Sequence, residues 1–418
     1  MPEETSPRVY GYRWVLLGAF ALLNAVVQAN WITFAPITDD AAAYYGVSDL
    51  SIGLLSMVFM VVFVVMSLPA SYVIDTYGLR VGVGVGAVLT AVCGLARGLL
   101  ASSFPWVFAA QVGLAVGQPF GRHAITMVGA RWFPLAERAT AASIPSLAQF
   151  LGIITAMAAT PVLVEGLEIP GMLLFYGALS VGVGLVSVAA IRERPPTSPG
   201  GVAGEERTPF FAGLRRILRQ RDMLLLLLLF FVGLGMFNAI TTWIEQVVDP
   251  RGFSSEEAGI IGAIMVVGGI LGAAALSVLS DRLRRRKPFL VLAVAGMAPG
   301  LVGLAFATSL PLLLASSFVF GFFLMSAYPV GFQYSAEVTH PAPEATSQGL
   351  LVMAGQISGI LFILGMDAFR AGSDAPMTGS MVVFIVLTGL VVTLSLFLRE
   401  SAMMRQERGA ETRSDRAP

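Results

Sequence analysis

The chain has 418 residues, 56% of them hydrophobic and only 12% charged, with a formal net charge of zero. Soluble domains carry about twice that charged fraction, so one globular core cannot be the plan. The neutral balance, with no basic and aromatic patch, gives no reason to expect nucleic acid as a partner, and a mean hydropathy of +0.79 points to a lipid bilayer.

Taken in chain order, the apolar runs predict helical spans at 13–36, 52–74, 81–101, 105–129, 139–163 and 171–191. Each offers about 30 Å of hydrocarbon at 1.5 Å per residue. The first is a full span without a small-residue cleavage site, so it reads as a membrane helix rather than a cleaved leader. The single cysteine, Cys93, lies in an apolar run with no metal-ligand neighbours and reads as a packing residue. Residues 192–222 change character, with Pro195, Pro196, Pro199, Gly200 and Gly201 followed by an Arg-Arg-Ile-Leu-Arg-Gln run. They read as a polar linker and a short amphipathic helix on the membrane surface. Six more spans come after it, at 223–247, 257–280, 288–308, 311–334, 346–367 and 377–398, and the charged tail from Arg405 is expected to be disordered.

The expected layout is an all-α polytopic membrane protein of twelve helices. A bundle over 1–191 and a second over 223–398 are joined by the 192–222 linker, with a tail over 399–418. With both termini inside, 22 of the 26 lysines and arginines fall on the cytoplasmic side of the cell membrane, as the positive-inside rule requires. The outer loops carry Asp39, Asp40, Glu165, Glu168 and Asp249 against Arg251 and Arg370.

The two bundles repeat one another. The run from Gly53 to Asp75 recurs from Gly259 to Asp281, and Glu137 and Gln149 recur as Glu344 and Gln356. Two such halves in one chain are the pattern of a secondary transporter, with its site between the repeats near the midplane. No Walker sequence, Ser/His/Asp order or metal spacing occurs, so the expectation is no enzyme, no cofactor, no metal and no ATP drive. A monomer is expected, with a small-molecule substrate and the lipid bilayer as partners.

Asp75-x-x-Gly78-x-Arg80 stands at the end of the second span, and Asp281-Arg282 stands at the matching place in the second half. A carboxylate there can pair with Arg131 or Arg138 of the next basic loop and latch helix ends; a tight glycine turn beside positive-inside charge is the plainer reading. The motif resembles the loop signature of the major facilitator superfamily. Residues 68–80, Trp31–Phe34 with Tyr44–Ser48, and the run from Gly331 to Gln356 narrow this to a resemblance to the feline leukemia virus subgroup C receptor (heme and choline transporter) branch. That resemblance implies a rocker-switch transporter of a choline-like amine, lined by Trp31, Gln118 and Gln356, with an aromatic on the seventh span.

Two residues depart from the branch. The seventh-span aromatic falls on Asn238, beside Phe237, and Arg122 replaces an apolar residue one turn beyond Gln118. A charge at that depth costs roughly 2.5–3.5 kcal/mol, so Arg122 needs a partner. An anionic substrate group or a structural pair, for instance with Glu245, would serve. The alternatives are therefore a choline-like amine and an organic carboxylate moved with protons, with Glu245 the proton-coupling candidate. Gln149 and Gln356 are expected to face each other across the site, and His123 reads as a hydrogen-bonded packing residue. A non-transporting membrane receptor or sensor is the reading of a different class.

Overall fold

The computed structural model describes residues 10–134, 137–195, 217–339, 344–370 and 376–401, and among these every regular element is a helix. The chain divides into two compact units, Met1–Glu205 and Glu206–Pro418. Most of the linker, with its expected surface helix, and the tail beyond Ser401 lie outside the described residues.

The first unit runs α1 Tyr12–Ile32, α2 Thr38–Tyr45, α3 Asp49–Tyr77, α4 Leu79–Leu99, α5 Phe104–Trp132 and α6 Arg138–Ala190. The second runs α7 Arg221–Thr242, α8 Ile244–Val248, α9 Ser255–Leu283, α10 Lys287–Phe306, α11 Leu310–Thr339, α12 Glu344–Ala368 and α13 Thr378–Ser395. The repeat is visible in how helices start. Ser48 precedes α3 and accepts from the Ser51 N–H, while Ser254 precedes α9 and forms a capping box with Glu257. Each extended serine satisfies an amide that the first turn would otherwise leave bare.

The first and seventh spans end earlier than expected, the seventh at Thr242 rather than 247. The first helix stops at Ile32, because Pro36 sits in a 3-10 turn at Ala35–Ile37 and cannot extend the ladder. The fifth and sixth spans are two helices within Arg138–Ala190, parted at Glu168, with φ 57 and ψ 174, in the gap expected between 163 and 171. Ten helices among the described residues are long and apolar enough to cross a bilayer, the broken one counted once. The 29-residue α5 is not among the ten, since Gln111, Gln118, Pro119 and two arginines dilute its apolar content.

Close backbone approach builds the second unit. A Cβ at Gly268 or Gly272 of α9 would fall on the carbonyl of Phe318 or Phe322, and one at Gly321 of α11 on that of Met265. Small residues on both faces let the two backbones touch, which is how helices associate where lipid removes the hydrophobic drive.

Candidate functional site

In the first unit, four amides from three helices meet. Gln118 of α5 donates from Nε2 to Gln28 Oε1 at 2.8 Å, and Gln149 of α6 donates to Asn24 Oδ1 at 3.2 Å. Asn24 and Gln28 are four residues apart on α1, so they stack on one face. All four are buried, and Gln118 Oε1 has no hydrogen-bond partner among the described residues. An acceptor stranded in this way costs free energy until a donor reaches it. Trp31, one turn beyond Gln28, gives its indole N–H to Ser56 O at 3.1 Å and is 5% exposed. Its ring is thus wedged against α3.

The second unit holds a matching pair. Asn238 of α7 donates to Gly355 O at 3.3 Å and to Gln356 Oε1 at 3.4 Å on α12. Phe237 is buried beside it. Trp243 is fully buried with its N–H on Ile363 O, and Glu245 is 2% exposed and accepts from Ser255 Oγ at 2.5 Å.

Arg122 lies 5.5 Å above the Phe63 ring and has no carboxylate within ion-pair distance among the described residues. The structural pair that its depth led us to expect is therefore not made within its own unit. Neighbouring His123 bonds Ser67 Oγ at 2.9 Å and packs against Phe63, as a packing histidine should.

The gating candidates sit elsewhere than the motif suggests. Asp75 is exposed and acts on Arg131 only through space. Arg131 instead forms its ion pair with Glu193, and Arg138 donates to the carbonyls of Phe133 and Ala130. In the second unit Asp281 pairs with Arg286 of the basic run that follows it, while Arg282 is exposed. Arg286 also meets the buried Glu337 at 3.0 Å. Burial opposes the Arg286 charge, but the Asp281 hydrogen bond and the Glu337 charge outweigh it and raise its pKa.

Glu193 exposes a repeat that pattern reading missed. It stands next to Arg192, just beyond α6, and accepts from Arg80 N at 2.8 Å at the start of α4, while Trp132 Nε1 donates to Arg192 O. Glu400 stands next to Arg399, just beyond α13, and accepts from Arg286 N at 2.8 Å and Lys287 N at 3.3 Å at the start of α10, while Tyr334 donates to Arg399 O. The recurring Arg-Glu step was the available signal. A carboxylate at a helix N-terminus also meets the favourable end of the macrodipole.

Gly78 closes this arrangement at φ 96 and ψ 174, with the Glu193 carboxylate 2.5 Å from where a Cβ would stand. That backbone region is essentially restricted to glycine, so Gly78→Ala should cost about 1–3 kcal/mol. Thermal unfolding of the purified protein checks this, and an unchanged midpoint would mean the turn relaxes.

A second cluster was missed altogether. Arg97 is fully buried, and donates from Nη1 to Gln111 Oε1 at 2.7 Å and Asn30 O at 3.2 Å, and from Nη2 to Asn30 Oδ1 at 2.5 Å. Asn30 O is in the last turn of α1, so the guanidinium caps the end of a helix whose ladder stops there.

Membrane-crossing helices in two repeated units, each with a small buried amide cluster, are the architecture of a membrane transporter. The chain belongs to the Major Facilitator Superfamily, whose family model matches residues 20–363 and 246–414. It is 33% identical to Solute carrier family 49 member A3 of Danio rerio over 383 residues, covering 88% of this chain and 81% of that one. It is 28% identical to the Choline/ethanolamine transporter FLVCR1 of Mus musculus over 425 residues, covering 92% and 75%. In fold it is similar to a bacterial homolog of the human lysosomal transporter Spinster, inward-facing and unoccupied, with a TM-score of 0.72 at 18% identity over 94% and 98% of the chains. A D-xylose-proton symporter gives 0.72 at 14% identity over 94% and 99%.

Proposed function

We propose that the chain carries a small hydroxyl-bearing amine, of the choline and ethanolamine class, across the plasma membrane. It works as a twelve-span monomer by rocker-switch alternating access, with both termini cytoplasmic. The observation that carries this reading is the stranded Gln118 Oε1, a buried neutral acceptor that a hydroxyl or ammonium donor satisfies. The outer loops support it, since Asp39, Asp40, Glu165, Glu168 and Asp249 draw cations to the mouth. So do the choline/ethanolamine transporters among the relatives. In this reading Gln118, Gln149 and Gln356 meet the solute, Phe237 offers the aromatic face that Asn238 does not, and Asp75 and Asp281 regulate the inner end.

A second reading takes Arg122 as the counter-ion of a carboxylate, with Glu245 carrying a coupled proton. It is favoured by one observation, an intramembrane guanidinium over the Phe63 ring with no carboxylate partner among the described residues.

Uptake of labelled choline and ethanolamine into proteoliposomes decides between them. The wild type should take up both, and Gln118→Ala and Gln356→Ala should each lose at least tenfold while melting within a few degrees of it. Arg122→Gln should leave amine uptake intact. If carboxylates enter instead, and Arg122→Gln stops them, the amine reading fails. Loss of folded protein in the glutamine variants would reduce those residues to helix-packing contacts.

A further inference from the structure

The second unit contains a cavity that the amide pair does not use. Leu229, Phe230, Gly233 and Leu234 of α7 form one wall, α10 forms another around Ala293, and Tyr328 of α11 closes it. Tyr328 carries the one polar side chain in the lining. The free space is about 30 Å³, two to three times the least that holds a water molecule. Water needs several polar partners, so an apolar space of this kind stays dry and takes a small apolar group.

Its walls are stiff. Phe230 lies 5.6 Å from Tyr328 and 5.7 Å from Phe332, and those two rings are 4.6 Å apart. The space exists because small side chains face it, since a Cβ at Gly233 would meet only Leu324 at ordinary contact, 3.4 Å. It also lies one turn of α7 away from the amide pair. Leu234 lines the cavity and abuts Gly355, the residue before Gln356, and Asn238 lies one turn of α7 beyond Leu234. Phe237 lies beyond Gly233 by the same spacing. The cavity therefore begins about 6 Å along α7 from Asn238.

We propose that this cavity is a subsite for a short uncharged alkyl group, of two or three carbons, on the solute whose polar end meets Asn238 and Gln356. The inference rests on the amine reading and narrows it, making an N-alkylated amino alcohol the preferred substrate class. Selection then turns on the size of a hydrocarbon group rather than on charge.

The test is competition by N-methyl-, N-ethyl-, N-propyl- and N-pentylethanolamine against labelled ethanolamine in proteoliposomes of the full chain. Each methylene up to propyl should lower the half-inhibitory concentration about fourfold, the burial of one CH2 expressed as a ratio. Pentyl should compete worse than propyl. Gly233→Leu should flatten the series without changing inhibition by the N-methyl compound. Leu324→Ala, which enlarges the space and does not crowd it, should move the optimum to pentyl. A flat wild-type series, or an unchanged series in both variants, overturns the proposal. If no ethanolamine derivative competes, the amine reading has failed. Propan-1-ol then decides for the cavity alone, since thermal stabilisation of the wild type that is lost in Gly233→Leu keeps it as an alkyl site, and equal response overturns it.

Discussion

Leucine at Gly272 or Gly321 is expected to leave no folded second unit. A side chain there begins on top of a carbonyl oxygen, Phe322 O in one case and Met265 O in the other. The obstacle is backbone, so no rotamer change relieves it, and α9 and α11 would have to separate along their contact. Overpacking a core typically costs about 1–3 kcal/mol even where side chains can give way. A backbone obstacle at the crossing of two helices should cost more, against total stabilities of about 5–15 kcal/mol. Gly379, whose Cβ would have nothing within 4 Å, is the matched control. Size-exclusion profiles in detergent should show the Gly379→Leu protein as a single peak and the other two as aggregate. A single peak with an unshifted melting midpoint for Gly272→Leu would contradict the crossing described.

The second large effect is expected at Arg97. Its charge is balanced by dipoles, since no carboxylate lies within ion-pair distance among the described residues, and its Nε has no partner there. Gln111 is the keystone. It accepts from Arg97 and donates to Asn30 O and Leu55 O, both at 3.1 Å. Gln111→Leu removes the accepting oxygen and leaves a buried cation under-compensated, which should cost about 3–5 kcal/mol. Removing both partners is different, because no charge is then stranded. The double variant Gln111→Leu with Arg97→Met should recover much of the loss, and a double-mutant cycle of unfolding free energies reads the coupling directly. Additive losses would show that Arg97 is held by something other than this network.

The span pattern was legible because hydrophobic length and the offset between Asp75 and Asp281 are written in one dimension. The helix ends were less so. Pro36 announces a stop, but whether the chain resumes as a short turn depends on what Thr33 and Phe34 can bond to. The break at Glu168 was legible, since Gly166, Pro170 and Gly171 surround it in the gap expected between 163 and 171. Of the candidate site, the glutamines were found because polar residues are few in such spans. Asn24 and Gln28 belong to no motif, although their four-residue spacing puts them on one face. The latch pairings misled for a different reason. A basic loop and an acidic helix end predict attraction, but which carboxylate wins depends on reach, and Glu193 arrives from 118 residues beyond Asp75. Arg97 was passed over because a lone arginine near a predicted span end reads as solvated. Its burial comes from Asn30 and Gln111, on other helices.

The paired Arg-Glu steps have a consequence for how each unit is closed. Glu193 and Glu400 each complete the unit to which they belong, using amides and rings from that unit alone. Each unit is thereby closed at its last helix by a carboxylate that reaches back to an earlier helix start. Each unit thus carries its own clasp, and the closing of one set of helices does not depend on the Arg-Glu step of the other.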